Sequence, residues 1–478
     1  MLYYNNVKNY LKIVRELLKE YKEIGNPPLS PFRKGGWRIS VRSGKTERRL
    51  RMKYICCIAL ILFLYLMPSE GRAEEVIKKG EVLNLERCIE IALKMQPTIV
   101  AAANAVNATE SRVGQARSNY YPQVDWAAGY DRINAASGLS GRTNETFDRY
   151  STGFTLSQIL YDFGRTPTQV KIQNLALDAS RSDLRDTIDQ IILAVRQAYY
   201  GVVQAKYNVL VAEDTVKQTQ HHLEQATGFF TAGTRPKFDV TKAEVDLSNA
   251  KLNLIRNENA FRIAIVTLNN AMGIPDAPEY TLDENLSFEK YEITFEDALS
   301  KAYANRPDLQ SIIAQRQAAE RSIDLARTGY YPVVAGSAGY SWSGEQFPLE
   351  HGWSAGATLS VPLFSGFLTK YQVEEARANL NILKANEESL KQTIFLEVQA
   401  AYLTLRSAEE AIPTAKLGVE QAQENLEIAN GRYAAGVGNP IEVTDAEVGL
   451  TNARTFYIQA LYADKVAQAS IEKAMGMR

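Results

Sequence analysis

The chain has 478 residues, 45% of them hydrophobic and 23% charged, with a formal net charge of −1. That total hides an asymmetry: residues 1–73 carry 15 Lys/Arg against 5 Asp/Glu, which leaves the remaining body at −11. An acidic body lacks the clustered cations that phosphate contacts need, so nucleic acid is excluded as a partner.

Residues 1–51 show no hydrophobic period and read as a gene-model extension ahead of a true start at Met52. Residues 52–73, MKYICCIALILFLYLMPSEGRA, read as a secretory signal peptide: a basic start, an apolar run and small residues before Ala73. The apolar run, Tyr54 to Met67, falls short of the ~20 residues that a spanning helix needs. Cys56 and Cys57 stand at the start of that run, not after it, which is not the place of a lipid-bearing cysteine. Cleavage leaves Cys88 alone, without an intrachain disulfide partner, and its apolar helical context predicts a small buried residue.

The body is a tandem repeat. LERCIEIALKMQP (Leu85–Pro97) matches FEDALSKAYANRP (Phe295–Pro307), and SNYYPQVDWAAGY (Ser118–Tyr130) matches TGYYPVVAGSAGY (Thr328–Tyr340), both at an offset of 210. From ILYDFG (Ile159–Gly164) against PLFSGF (Pro362–Phe367) onward the offset is 203. The first repeat, 74–274, therefore holds seven more residues between Tyr130 and Tyr150, an expected surface loop. A proline-bearing linker, 275–292, leads to the second repeat, 293–478.

Each repeat opens with a helix, expected over about 84–118 in the first. A Tyr-Tyr-Pro step then ends it, and the period changes from 3.6 to 2. Val124, Trp126, Ala128 and Tyr130 alternate with smaller or polar residues, as do Val334, Gly336, Ala338, Tyr340 and Trp342. Partner strands at Tyr150–Leu156 and Trp353–Val361 complete β-hairpins within 120–161 and 330–364. One apolar face with aromatic ends and one face of small polar residues is the pattern of a transmembrane barrel strand. It is also the pattern of a hairpin packed on a soluble core. Four strands cannot close a barrel, for which about eight is the smallest spanning count, so a barrel needs several chains.

Long helices follow over 166–228 and 369–431. Thr166 is the expected cap, with Pro167 in the first turn and Gln169 completing a capping box; Thr369 and Gln372 repeat the arrangement. Apolar steps of three and four recur from Ile188 to Phe230 and from Ile394 to Tyr433, the seven-residue period of a left-handed coiled coil. Pro413 is expected to bend the second helix locally. The helices end at Ala232-Gly233-Thr234 and Ala435-Gly436-Val437, where glycine permits the left-handed turn, and return helices follow over 237–272 and 441–475.

The YYP lead-in to the strands, the LYDFG and LFSGF exits and the paired AGT…DV and AGV…EV tips together resemble the TolC-like outer-membrane efflux protein family over residues 80–478. The resemblance implies a mainly α fold with a small β part. It implies a homotrimer whose long helical hairpins form an α-barrel, and whose four strands per chain build a shared 12-stranded transmembrane β-barrel. It implies an outer-membrane location with a periplasmic tunnel, and service as the passive exit duct of a tripartite efflux or type I secretion system. The tips, Ala232, Gly233, Thr234, Ala435, Gly436 and Val437, would meet a periplasmic adaptor that links to an inner-membrane pump. Trp126, Tyr130, Tyr340, Trp342 and Trp353 would face outer-membrane lipid. Glu424 and Glu427 match the carboxylates that ring the family's periplasmic entrance; the family often has aspartate there, and a solvated helix face is the competing reading. Glu224 is the first-repeat counterpart of Glu427, and His221 that of Glu424.

No phosphate-binding glycine loop or nucleophile elbow is present, and His221, His222 and His351 do not make a metal-ligand set. The expectation is a protein that is not an enzyme and holds no cofactor or metal. A soluble periplasmic coiled-coil adaptor or scaffold is the rival; it has no use for tryptophans on apolar strand faces.

Overall fold

A computed structural model describes residues 77–134, 146–283 and 286–477. The leader, the signal segment and most of the loop insertion lie outside the described residues. The first repeat supplies β1 (Val82–Leu83), α1 (Leu85–Met95), α2 (Pro97–Arg117), β2 (Gln123–Asn134), β3 (Thr146–Tyr161), α3 (Arg165–Thr231) and α4 (Lys237–Met272). Then come β4 (Thr281–Leu282), α5 (Phe295–Asn305), α6 (Pro307–Arg327), β5 (Val333–Gly344), β6 (Glu350–Ser360), α7 (Leu368–Ala434) and α8 (Pro440–Ala474). The order helix, helix, strand, strand, long helix, return helix thus occurs twice.

The opening helix is two helices in both halves. Pro97 and Pro307 each take the first position of the second helix, and the residue before each leaves the helical region. The linker is not irregular throughout: β4 within it pairs in parallel with β1, Val82 opposite Thr281. The chain is fastened again further along. Arg406 on α7 donates to the carbonyl of Ile293 at 2.5 Å, and its neighbour Glu409 accepts from the Tyr291 amide at 3.0 Å.

The expected capping box does not form. Asp162, four residues before Thr166, is the group that caps: its carboxylate accepts from the Thr166 amide at 2.7 Å and from the Thr166 hydroxyl. Sequence logic points past it because two left-handed residues intervene, Phe163 at φ 51° and Gly164 at φ 90°. The second repeat makes the same reversal with the pair inverted, Gly366 at φ 61° and Phe367 at φ 65°. One glycine of the two suffices, since an aromatic can be held left-handed where its neighbours fix the turn. α7 continues as one helix through Pro413.

Equivalent residues build equivalent cores. Cys88, Ala92, Val195, Val202, Leu268 and Met272 are buried together in the first repeat. Their counterparts Ala298, Ala302, Val398, Leu405, Ile471 and Met475 are buried together in the second. Cys88 thus stands where the other repeat has alanine, and burial pushes its thiol up to about 12, so it is a space-filling residue. A third cluster, Leu426, Ala429, Tyr433, Val443, Ala446 and Leu450, lies at the hairpin end and follows the predicted seven-residue steps.

Leu405 is fully buried. Leu405→Ala should lower unfolding free energy by about 2–5 kcal/mol through lost packing and a residual cavity. Denaturant unfolding of the variant beside the parent measures it.

Candidate functional site

The two hairpins join through β3 and β5 into one antiparallel sheet of order β2-β3-β5-β6. Register then decides which side chains share a face. Trp126 is opposite Phe154, Phe154 opposite Tyr340, and Tyr340 opposite Trp353, so one aromatic row crosses all four strands. On the same face Tyr130 lies opposite Tyr150, with ring centroids 5.3 Å apart, and Tyr340 packs edge-on against Trp342 at 4.7 Å. The opposite face carries Ser151, Gly153, Thr155 and Ser157 on β3, Ser337, Gly339 and Ser341 on β5, and Gly352, Ser354, Gly356 and Thr358 on β6.

Among the described residues, none in the four strands is fully buried. Every residue of β6 is exposed, and along β2 only Ile133 is even half-buried. Trp353 stands 79% exposed and Trp126 64%. A sheet normally buries one face against another layer. This one offers its large aromatics outward and its hydroxyls on the other side. All five aromatics named from the sequence lie on the one face. Phe154 and Tyr150, which complete it, are readable in the sequence only as part of a partner strand; their pairing depends on a β3–β5 register that the sequence does not write.

At the far ends of α3 and α7 the chain reverses through two matching turns. The Gly233 amide donates to the Phe230 carbonyl at 2.9 Å and the Thr234 amide to the Phe229 carbonyl at 3.0 Å. The Gly436 and Val437 amides donate to the Tyr433 and Arg432 carbonyls at 3.1 Å each. Both are Schellman closures, with Gly233 at φ 70° and Gly436 at φ 79° in the left-handed region that favours glycine. Ala232, Gly233, Thr234, Ala435, Gly436 and Val437 are all exposed, so the turns offer backbone and small side chains to a neighbour.

Behind the tips a polar web joins the repeats. Arg235 donates to the Gly438 carbonyl at 3.0 Å and lies over the Tyr433 ring, 5.1 Å from its centroid. Tyr433 is fully buried, its ring packed against His222 at 5.1 Å and its hydroxyl 3.5 Å from Asp239. Burial holds the His222 imidazole below its ordinary range, so it is a neutral packing ring. The sequence pattern reads Tyr433 only as an apolar step; its hydroxyl, and the reach of Arg235 to its own counterpart in the other repeat, need coordinates.

Glu424 and Glu427 are exposed on α7, and Gln423 donates to Glu427 at 3.2 Å. The first repeat has the same pair, Gln220 donating to Glu224 at 3.2 Å. Glu424 lies about 16 Å before the tip by helical rise. The described residues include no cluster of three or more metal-ligating side chains, and no helix among them is long and apolar enough to cross a membrane.

The model of the family described as outer membrane efflux protein matches two segments of the chain, 88–274 and 298–477. The chain is 26% identical over 390 residues to protein CyaE of Bordetella pertussis, covering 80% of this chain and 81% of that protein. It is 24% identical over 415 residues to the outer membrane protein TolC of Salmonella enteritidis, with 82% of each covered. Among solved structures, a membrane protein of Pseudomonas aeruginosa superposes with a TM-score of 0.76 at 20% identity, covering 86% of this chain and 94% of that one.

Gly436→Val places a β-branched residue in a left-handed turn and should cost about 1–2 kcal/mol locally. Amide hydrogen exchange should quicken at residues 432–438 and stay unchanged in the sheet.

Proposed function

The chain belongs to the outer membrane efflux protein family, and on that premise we propose that three copies close into one passive exit duct across the outer membrane. The family is one of transport channels, which sets aside the soluble coiled-coil scaffold.

The observation that carries closure is a pair of open edges. Among the described residues β2 and β6 each lack a partner on one side, and they run in opposite directions. The β6 of one copy can therefore extend the antiparallel ladder onto the β2 of the next, head to tail, until the ring shuts. Four strands per chain set a minimum of two copies; the family resemblance sets three, for twelve strands. The helices repeat the logic. α4 packs on α3, α3 on α8 and α8 on α7. That leaves Phe238, Val245 and Leu252 on α4 and Leu396, Leu403 and Leu417 on α7 as large exposed apolar residues. Each set follows multiples of seven, a second coiled-coil seam with no partner among the described residues.

In the closed ring the aromatic face meets outer-membrane lipid through Trp126, Tyr130, Tyr340, Trp342 and Trp353, and the Ser/Gly/Thr face lines the lumen. The tips receive a periplasmic adaptor, itself joined to an inner-membrane pump. The two repeats, 74–274 and 293–478, supply one tip each. Glu424 and Glu427 ring the entrance, where carboxylates favour cations.

Light scattering of the detergent-solubilised protein, corrected for detergent, should give three chains. Leu396→Glu with Leu403→Glu should reduce it to one while leaving helical content unchanged; a monomeric parent would refute the shared barrel. In planar bilayers, Glu424→Ala with Glu427→Ala should move the reversal potential in a salt gradient toward zero, and an unchanged value would remove these residues from the entrance.

A further inference from the structure

Between the repeats, α3, α4 and α8 line a half-open cavity of about 280 Å³, room for several waters. Thr215 lines it from α3, Asp246 and Asn249 from α4, and Thr444, Glu447 and Thr451 from α8. Its functional groups are therefore hydroxyls, carboxamides and two carboxylates. Asp246 is already neutralised: both its oxygens lie 2.6 Å from Lys242 Nζ, and one also accepts from the Thr444 hydroxyl at 2.9 Å. Glu447 is not. It is only 5% exposed, and among the described residues its carboxylate has no hydrogen-bond or ion-pair partner.

A carboxylate this buried without a hydrogen-bond or ion-pair partner is costly, and in folded proteins such a group takes a proton or a cation. Burial, and then the nearby Asp246, push Glu447 up to about 7. The other titratable groups around it are Lys242 on α4 and, across Asp246, His222 on α3. Below about 7 the proton serves. Above it, the cluster of Glu447, Asp246 and Lys242 carries one uncompensated negative charge beside a cavity of hard oxygen donors.

We propose that this cavity is a cation site: a hard, hydrated cation of the calcium type binds between Asp246 of the first repeat and Glu447 of the second, with threonine and asparagine oxygens completing its shell. Asn249 and Asn452, both exposed, mark the path by which it enters. Because the two carboxylates sit on α4 and α8, the bound cation ties one helical hairpin to the other. The site lies within a single chain, and its existence does not depend on the trimer or on adaptor docking.

The sign of the pH dependence follows. Ionising Glu447 destabilises the folded state as pH rises from the ordinary carboxylate range to about 7, and a cation restores that stability above 7.

The test is the thermal midpoint of the full-length detergent-solubilised protein against calcium chloride, at constant ionic strength. At pH 8 the midpoint should rise with calcium, and at pH 5.5 the response should shrink. Glu447→Gln, a neutral isostere, should raise the half-saturating calcium at least tenfold. Asp246→Asn should weaken binding too. The response should survive Glu424→Ala with Glu427→Ala. No response in the parent at pH 8, or a response that Glu447→Gln keeps and the entrance double variant loses, would overturn the proposal. Equilibrium dialysis of radioactive calcium, read per chain, measures the same binding should a variant melt too early to score.

Discussion

Everything in this molecule is arranged around a sheet that the chain cannot finish. Among the described residues, four antiparallel strands run side by side with both faces uncovered and both outer edges unpaired. In water, exposed edges and a row of tryptophan, phenylalanine and tyrosine are liabilities for aggregation. In a bilayer they are requirements: the apolar face satisfies the lipid, and the edges must close because no water is available to their amides. The incomplete sheet therefore suits lipid as its solvent and, on the proposed reading, closure by further copies.

The helices inherit the constraint. The long helix α7 buries one seven-residue seam within its own chain and leaves another exposed. On α7, Leu405, Ile412, Leu426 and Tyr433 make up the buried seam, while Leu396, Leu403 and Leu417 make up the exposed one. Alanine alternates along the inner seam so that helices approach closely, as Ala408 and Ala429 do. A helix with two apolar seams is ordinary in composition, which is why the overall hydrophobic content of 45% gives no hint of a membrane protein.

Much of this is legible in the sequence because the repeat writes each message twice. The glycines at the tips, the alternation from Val124 to Tyr130 and the seven-residue steps of both long helices need only period and turn chemistry. What stays hidden depends on pairing between distant segments. The β3–β5 register, which lines Phe154 up with Tyr340, is one case. The parallel β1–β4 ladder is another, made of two residues on each side and so below any periodic signal. The cap at the strand-to-helix turn escapes a sequence reading for a local reason. Thr166 and Gln169 fit a capping box, but two left-handed residues carry the chain around so that Asp162 arrives first. The entrance carboxylates rest on resemblance, and a single chain shows only that Glu424 and Glu427 are exposed on α7.

The repeats are alike where they fold and unlike where they meet. Core positions are interchangeable: cysteine stands for alanine at 88, valine for leucine at 202. Contacts between the repeats are not. Arg235 reaches the carbonyl of Gly438, its own equivalent, and arginine at both positions would set two cations against one site. Lys242 holds Asp246, whereas Asp445 and Glu447 stand in the corresponding stretch of α8 without such a partner, and Glu447 is buried. A duplicated chain that kept both halves identical would place like charges near one another where the start of α4 meets the start of α8. Divergence there gives each half a distinct partner, and it fixes how the two repeats pack against one another inside the chain.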